Sequence, residues 1–206
     1  MSVRVKICGV NTPDAFDAAA GADWIGFVFF ARSPRAVSAN EAAVLSARLD
    51  GGPRRVGLFV EPTDAAVAAI LATVRLDVLQ VYASAERAAA LRARFARPVW
   101  RACGVATRDD LPASAPAVDG LVLEAKPPAA ASRPGGNAAR FDWSLLAGWQ
   151  APAPWLLAGG LDADNVAEAI RIAGAPAIDV SSGVETAPGV KDPGLIRAFI
   201  AAARAA

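Results

Sequence analysis

The sequence predicts an α/β protein in which eight parallel strands close into a (β/α)8 barrel. Short β-branched or aromatic runs alternate with alanine-rich segments, as expected for βαβ units around a parallel sheet. The runs begin at residues 3, 24, 55, 78, 99, 120, 155 and 177, so most starts lie 21 to 23 residues apart. This regularity favours a closed barrel, although spacing alone leaves an open doubly wound sheet as an alternative.

Each predicted strand ends where a polar or glycine-rich connection begins. The strands are Val3–Cys8, Trp24–Phe29, Arg55–Phe59, Val78–Val81, Val99–Cys103, Gly120–Leu123, Trp155–Ala158 and Ala177–Val180. Longer connections follow the second and sixth strands. The latter, Pro127 to Asn137, is rich in proline and glycine, and we interpret it as a mobile flap. Because no linker divides the chain, residues 1–206 are predicted to form a single barrel domain.

Composition excludes several classes of partner. The net charge is +1, with 21 basic and 20 acidic residues, so no global field attracts nucleic acid or an anionic membrane. No apolar run reaches the ~18 residues of a membrane span, and the amino terminus lacks a signal-peptide pattern. We therefore expect a cytoplasmic protein.

The chain contains no histidine and two cysteines. Without histidine, Ser–His triads, histidine proton shuttles and histidine-ligated metals are excluded. Cys8 and Cys103 end strands one and five, which lie on opposite sides of an eight-stranded barrel. We therefore expect two free thiols rather than a disulfide.

Cys8 is the first candidate for proton transfer. Alternation along a strand places Cys8 and Lys6 on one face, and a cationic neighbour favours the reactive thiolate. If this face points to the barrel mouth, Cys8 can serve as a general base. The alternative is a small buried apolar residue, which is a common environment for a free cysteine.

Glu124 is the candidate acid. It follows the apolar run Leu121–Leu123, at the end of the barrel where such enzymes keep their catalytic groups. Burial would raise the pKa of its carboxyl group and allow proton donation near neutral pH. The alternative is a solvated carboxylate paired with Lys126.

Two glycine-containing loops predict a phosphate site. Gly159 and Gly160 follow strand seven, and Ser182 and Gly183 follow strand eight, where barrels commonly bind phosphate through backbone amides. Either loop alone could be an ordinary turn, but their adjacency favours an anion site.

Two further charged residues complete the candidate site. Asp179 lies on the same side of its strand as Ser181. Its carboxylate is expected to point inward and to accept hydrogen bonds from loop amides or from Lys6. Arg35 could form a bidentate clamp on a substrate carboxylate or phosphate. Alternatively, Arg32 and Arg35 only solvate their loop.

Several segments, in their order and spacing, resemble the phosphoribosylanthranilate isomerase family of tryptophan biosynthesis over almost the full chain. The most specific are Val5–Gly9, Gly26–Phe29, Ser33–Arg35, Ala125–Pro127, Gly135-Gly136, Phe141–Trp143, Leu157–Leu161 and Asp179–Glu185. The resemblance implies a cofactor-free Amadori rearrangement of N-(5-phosphoribosyl)anthranilate to 1-(2-carboxyphenylamino)-1-deoxyribulose 5-phosphate.

In this family a carboxylic acid protonates the ribose ring oxygen, and a cysteine thiolate then removes the proton at C2. The resemblance assigns these roles to Glu124 and Cys8. It places Arg35 on the anthranilate side, with Asp179 as the inward aspartate of the last strand. It also assigns the phosphate to the amides around Gly159, Gly160, Ser182 and Gly183.

The sequence departs from the family pattern in three places. Glu124 replaces the usual aspartate, Tyr82-Ala83 replaces a histidine and glycine, and Arg101 replaces a lysine. The extra methylene of glutamate moves the carboxyl group by roughly 1 Å, which can cost about a hundredfold in rate without compensation. Two alternatives therefore stay open: a sugar-phosphate-binding paralogue without turnover, and a related barrel acting on another aminated ribulose phosphate.

Overall fold

Eight parallel strands close into a barrel in sequence order, which confirms the predicted architecture. The computed structural model describes residues 2–127, 135 and 139–206. The barrel strands are β1 Arg4–Cys8, β2 Trp24–Val28, β3 Arg54–Val60, β4 Val78–Tyr82, β5 Val99–Val105, β6 Gly120–Ala125, β7 Trp155–Leu157 and β8 Ala177–Val180. Each overlaps its predicted run, and the ends differ by no more than two residues.

Helices surround the barrel, but the βα pattern is interrupted. The α-helices are α1 Pro13–Ala18, α2 Ala39–Ser46, α3 Asp64–Thr73, α4 Ala85–Phe95, α5 Val166–Ala173 and α6 Pro193–Ala205. Between β5 and β6 the chain forms only the short 3-10 helix Arg108–Asp110. Pro112 and Pro116 remove backbone donors there, so an α-helix cannot continue. At this connection a 3-10 helix takes the place of the α-helix in the βα unit.

A small antiparallel hairpin follows β8 and was not predicted. It consists of β9 Glu185–Ala187 and β10 Val190–Lys191. Of the predicted flap, only Pro127 and Gly135 belong to the described residues. In the same described part of the chain, no helix is long and apolar enough to cross a membrane.

Alternate side chains of each strand serve two different layers. Outward-facing residues pack against the helices, and Phe16 of α1 and Phe199 of α6 are fully buried there. Cys103 belongs to this outer layer. Inward-facing residues fill the amino-terminal end of the barrel, and they include Trp24, Val56, Val78, Trp100, Val122 and Leu156. The filled lower end leaves the inward-facing polar residues near the carboxyl ends of the strands.

Candidate active site

A cavity opens at the carboxyl ends of the barrel strands and, with its open mouth, encloses about 780 Å³. Most residues proposed from the sequence meet there. Seven of the eight line it: Cys8, Arg35, Glu124, Gly159, Gly160, Asp179 and Ser182. Gly183 lies in the 3-10 helix Ser182–Val184, immediately after Ser182. The structure therefore brings the predicted acid, base and phosphate loops to one place.

Lys6 and Asp179 form a buried ion pair beneath the cavity. They face each other in the register of β1 and β8, and the Lys6 Nζ atom donates to both Asp179 carboxylate oxygens at 2.9 Å. Burial lowers the pKa of Lys6, but Asp179 and Cys8 more than offset this effect, so its pKa lies above the ordinary value. Lys6, rather than loop amides, is thus the partner of Asp179.

Cys8 lies one layer above Lys6, facing the cavity. Gly26 makes room for both, because a Cβ atom at that position would lie 3.2 Å from Cys8 Sγ and 3.3 Å from Lys6 Nζ. Burial raises the pKa of the Cys8 thiol above its ordinary value, whereas Lys6 lowers it. Lys6 therefore acts in the predicted direction, but burial outweighs it in the free protein. Cys8 and Cys103 are both free thiols, as predicted.

Glu124 is buried within β6 rather than solvated after it, with 7% of its surface exposed. Lys126 pairs with Asp110 instead, so the alternative of a solvated Glu124–Lys126 pair is wrong. Burial raises the pKa of Glu124 to about 7, although the neighbouring Tyr82 hydroxyl lowers it and opposes this shift. A carboxyl group with this pKa is partly protonated near neutral pH.

Tyr82 ends β4 and lines the same cavity. Burial, followed by the neighbouring Glu124, raises the pKa of its hydroxyl well above the ordinary value. Tyr82 therefore keeps its proton at neutral pH and acts as a hydrogen-bond donor. The sequence marked this position only as a departure from the family pattern.

Arg35 is buried in an ion pair with Glu185 of the hairpin. The Arg35 Nε and Nη2 atoms donate to the two Glu185 oxygens at 2.7 and 2.8 Å. Lys191 Nζ donates to Glu185 Oε1 at 2.6 Å and to the Ser181 carbonyl oxygen at 2.8 Å. The alternative of a solvated Arg35 is therefore wrong, and the bidentate geometry suggested for a substrate anion is made here with Glu185.

Glu185 and Lys191 were missed by the sequence analysis as parts of the site. Arg35 and Glu185 are 150 residues apart in the chain, and no local pattern connects them. The sequence contained one indication of the pair, because Arg35 and Glu185 both lie in segments that resemble the family. That signal identifies the segments without showing which side chains form a pair.

The two predicted phosphate loops touch each other. Gly159 and Gly160 have φ angles of +88° and +64°, a region that favours glycine. A Cβ atom at Gly183 would overlap the carbonyl oxygen of Leu161, so only glycine allows this approach. Asn165 Nδ2 donates to the Gly160 carbonyl oxygen at 3.0 Å and holds the first loop.

Backbone amides of these loops are available to an anion. Within the described residues, the amide groups of Gly159, Gly160, Ser182 and Gly183 have no assigned protein acceptor. Ser182 and Gly183 begin a 3-10 helix, whose first N–H groups have no partner inside the helix. The arrangement can therefore hold an anion through main-chain hydrogen bonds.

Comparison with known proteins points to one family. The family model described as N-(5'phosphoribosyl)anthranilate (PRA) isomerase matches residues 5–202. The N-(5'-phosphoribosyl)anthranilate isomerase of Acidiphilium cryptum is 56% identical over 205 residues, covering 98% of this chain and 99% of that protein. The corresponding protein of Granulibacter bethesdensis is 51% identical over 207 residues, covering 99% of each chain.

Solved structures agree with the sequence comparisons. Phosphoribosyl anthranilate isomerase from Thermotoga maritima has a TM-score of 0.83 at 32% identity, covering 99% of this chain and 100% of that one. A phosphoribosyl anthranilate isomerase in complex with reduced 1-(O-carboxyphenylamino)-1-deoxyribulose 5-phosphate has a TM-score of 0.80 at 30% identity, with the same coverage. Given the barrel, the cavity and these matches, the chain belongs to the N-(5'-phosphoribosyl)anthranilate isomerase family.

Proposed function

We propose that the protein converts N-(5-phosphoribosyl)anthranilate into 1-(2-carboxyphenylamino)-1-deoxyribulose 5-phosphate in tryptophan biosynthesis. The observation that carries the proposal is the meeting of Cys8 and Glu124 with the glycine loops in one cavity. We further propose that this aldose–ketose isomerisation needs no cofactor, since the two side chains provide both an acid and a base. The cytoplasmic location expected from the sequence stays a prediction.

Glu124 is the proposed general acid for opening the ribose ring. With a pKa of about 7, a substantial fraction of Glu124 carries a proton at neutral pH. Proton transfer to the ring oxygen allows the bond between C1 and that oxygen to break. The nitrogen lone pair then forms a C1=N iminium, and Glu124 is left as a carboxylate.

Cys8 is the proposed general base for the second step. Its thiolate takes the proton from C2, and the electrons of the C2–H bond form the C1=C2 double bond of an enolamine. The positive iminium acidifies C2–H and draws its electrons toward nitrogen. The enolamine then becomes the ketone when C1 gains a proton and the C2 hydroxyl group loses one. Lys6 supports this step because its ammonium group favours the thiolate of Cys8.

The pH dependence follows from the two pKa values. The active form needs a proton on Glu124 and none on Cys8, whereas the pKa of Cys8 lies above 9.0 and that of Glu124 is about 7. Between the two pKa values, Glu124 and Cys8 together hold one proton, and it resides mostly on Cys8. The active form, with that proton on Glu124, is therefore the less populated of the two arrangements. Its population rises through about pH 7 and falls only above the raised pKa of Cys8.

The loops after β7 and β8 are proposed to hold the substrate phosphate through their amides. Arg35 is proposed to contact the anthranilate side, and Glu185 orients its guanidinium group through the Nε and Nη2 atoms. Asp179 faces the cavity, where its negative charge favours the cationic iminium.

Cys8→Ala tests the proposed base. We expect turnover to fall by at least a thousandfold, while binding of the reduced product analogue changes less than threefold, because the thiol acts on C2 and not as an anchor. Isothermal titration and a steady-state assay measure the two quantities. Cys103→Ala is the matched control and should keep turnover, since Cys103 faces the helices. Full activity of Cys8→Ala would exclude thiol catalysis.

A further inference from the structure

We propose that Tyr82 is a positioning residue for the acid: its hydroxyl group holds the Glu124 carboxyl in the orientation that delivers a proton into the cavity. This inference deepens the proposed function, on which it rests. It concerns Tyr82 and Glu124, two of the residues that depart from the family pattern.

The barrel brings the two residues together across an intervening strand. Tyr82 is the last residue of β4 and Glu124 lies in β6. Strand alternation presents Ala102 and Gly104 of β5 on the inner face between them. Ala102 carries only a methyl group and Gly104 has no side chain, so neither residue places a large side chain between Tyr82 and Glu124. The Tyr82 hydroxyl and the Glu124 carboxyl then lie side by side, which places the hydroxyl where it can donate to the carboxyl group.

Gly135 encloses this pair from the cavity side. A Cβ atom built there would overlap the Tyr82 hydroxyl oxygen and would lie 2.8 and 2.9 Å from the two Glu124 oxygens. The Glu124 carboxyl is thus held between the tyrosine hydroxyl and a backbone that approaches closely because it carries no side chain. Only a residue without a Cβ atom fits this position without displacing the pair.

The hydrogen bond has a clear consequence for proton transfer. Glutamate has one more rotatable bond than aspartate, and the Tyr82 hydroxyl restricts the additional freedom. The bond also becomes stronger when Glu124 is a carboxylate, because hydrogen bonds to charged groups are the stronger ones. Tyr82 therefore stabilises the Glu124 carboxylate that remains after the proton has moved to the ring oxygen, and Tyr82 keeps its own proton.

The single tyrosine of the chain provides a direct test. Tyrosine labelled with ¹³C at Cζ will give one resonance, which should shift with pH and show a midpoint at about 7, the pKa of Glu124. The step should disappear in Glu124→Gln and persist in Cys8→Ser, the matched control. A flat curve in the wild type, or an unchanged step in Glu124→Gln, would overturn the proposed contact.

A kinetic cycle tests whether the contact serves catalysis. We expect Tyr82→Phe to lower kcat about 10- to 100-fold, the worth of one hydrogen bond to a charged group, with less than threefold change in KM. In the Glu124→Asp background the shorter carboxyl withdraws from Tyr82, so Tyr82→Phe should have less than a threefold further effect. An equal loss in both backgrounds would overturn the positioning role.

The two tests separate the failure of this inference from the failure of the proposed function. Normal turnover of the wild type with a flat titration curve contradicts only the role of Tyr82. A wild type without turnover contradicts the proposed isomerase, and with it any catalytic positioning.

Removal of the Tyr82 hydrogen bond should also raise the pKa of Glu124, so the rise of kcat/KM should move to higher pH in Tyr82→Phe.

Discussion

Glu124 shows how burial prepares an acid for neutral pH and destabilises the fold at the same time. Burial raises its pKa from the ordinary 4.5 to about 7, so the folded protein holds this proton more tightly than the unfolded chain does. The free energy of unfolding must then decrease as pH rises from 4.5 through about 7, because the buried carboxyl becomes charged.

Glu124→Gln should remove this pH dependence, since glutamine is neutral and nearly isosteric. The difference of about 2.5 pKa units corresponds to about 3 kcal/mol. We therefore expect the variant to be about 2 to 3 kcal/mol more stable than the wild type at pH 8 and nearly equal to it at pH 4.5. Urea unfolding at both values measures the change.

The exposed Glu168 provides the control for this comparison. Glu168→Gln removes one carboxylate without touching the cavity and should show no such gain between the two pH values. A Glu124→Gln variant that is no more stable than the wild type at pH 8 would show that burial does not destabilise the charged form of Glu124.

At the residue scale, strand alternation was sufficient to place Cys8 and Lys6 on the same face of β1 and to predict that Asp179 points inward. It could not predict what lies opposite each side chain. The proposed hydrogen bond between Tyr82 and Glu124 crosses an intervening strand, so it depends on barrel geometry. The balance between burial and charge at Cys8 likewise depends on the folded surroundings.

At the scale of elements, the two loops proposed to bind phosphate form one unit because they touch at Gly183. Gly183→Ala forces the loops apart, since the new Cβ atom would overlap the Leu161 carbonyl oxygen. We expect KM for the phosphorylated substrate to rise about 10-fold or more, the worth of one lost hydrogen bond to a charged group. Inhibition by inorganic phosphate should weaken in parallel.

Gly21→Ala is the matched control for this variant. A Cβ atom at Gly21 would meet its nearest neighbour at 3.9 Å, which is ordinary contact. It should leave KM and phosphate inhibition unchanged. An unchanged KM in Gly183→Ala, with the fold intact by circular dichroism, would refute the proposed phosphate site.

Elements were predicted well where hydrophobic patterns are long and poorly where they are short. Eight strands could be recognised from β-branched and aromatic runs. The hairpin strands Glu185–Ala187 and Val190–Lys191 have only three and two residues, too few for alternation to show. After β5 the chain forms only the 3-10 helix Arg108–Asp110, since Pro112 and Pro116 oppose an α-helix there.

At the scale of the whole molecule, the site exists only when the barrel closes. Lys6 and Asp179 are 173 residues apart, and the pairing of β1 with β8 joins them. Glu124 enters the same cavity from β6. The resemblance in sequence could indicate this arrangement, but the distances and the burial come from closure. We also propose that residues 1–206 form one domain, because the strands that close the barrel span nearly the whole chain.

The central claim is that Glu124 and Cys8 together make this barrel an active isomerase. The most direct measurement is kcat/KM for freshly prepared N-(5-phosphoribosyl)anthranilate over pH 5.5 to 9.5, with protein purified from a host that lacks its own isomerase. We predict turnover that rises through about pH 7 and remains high until Cys8 ionises. Binding of the product analogue without turnover at any pH would contradict the account and identify a sugar-phosphate-binding protein.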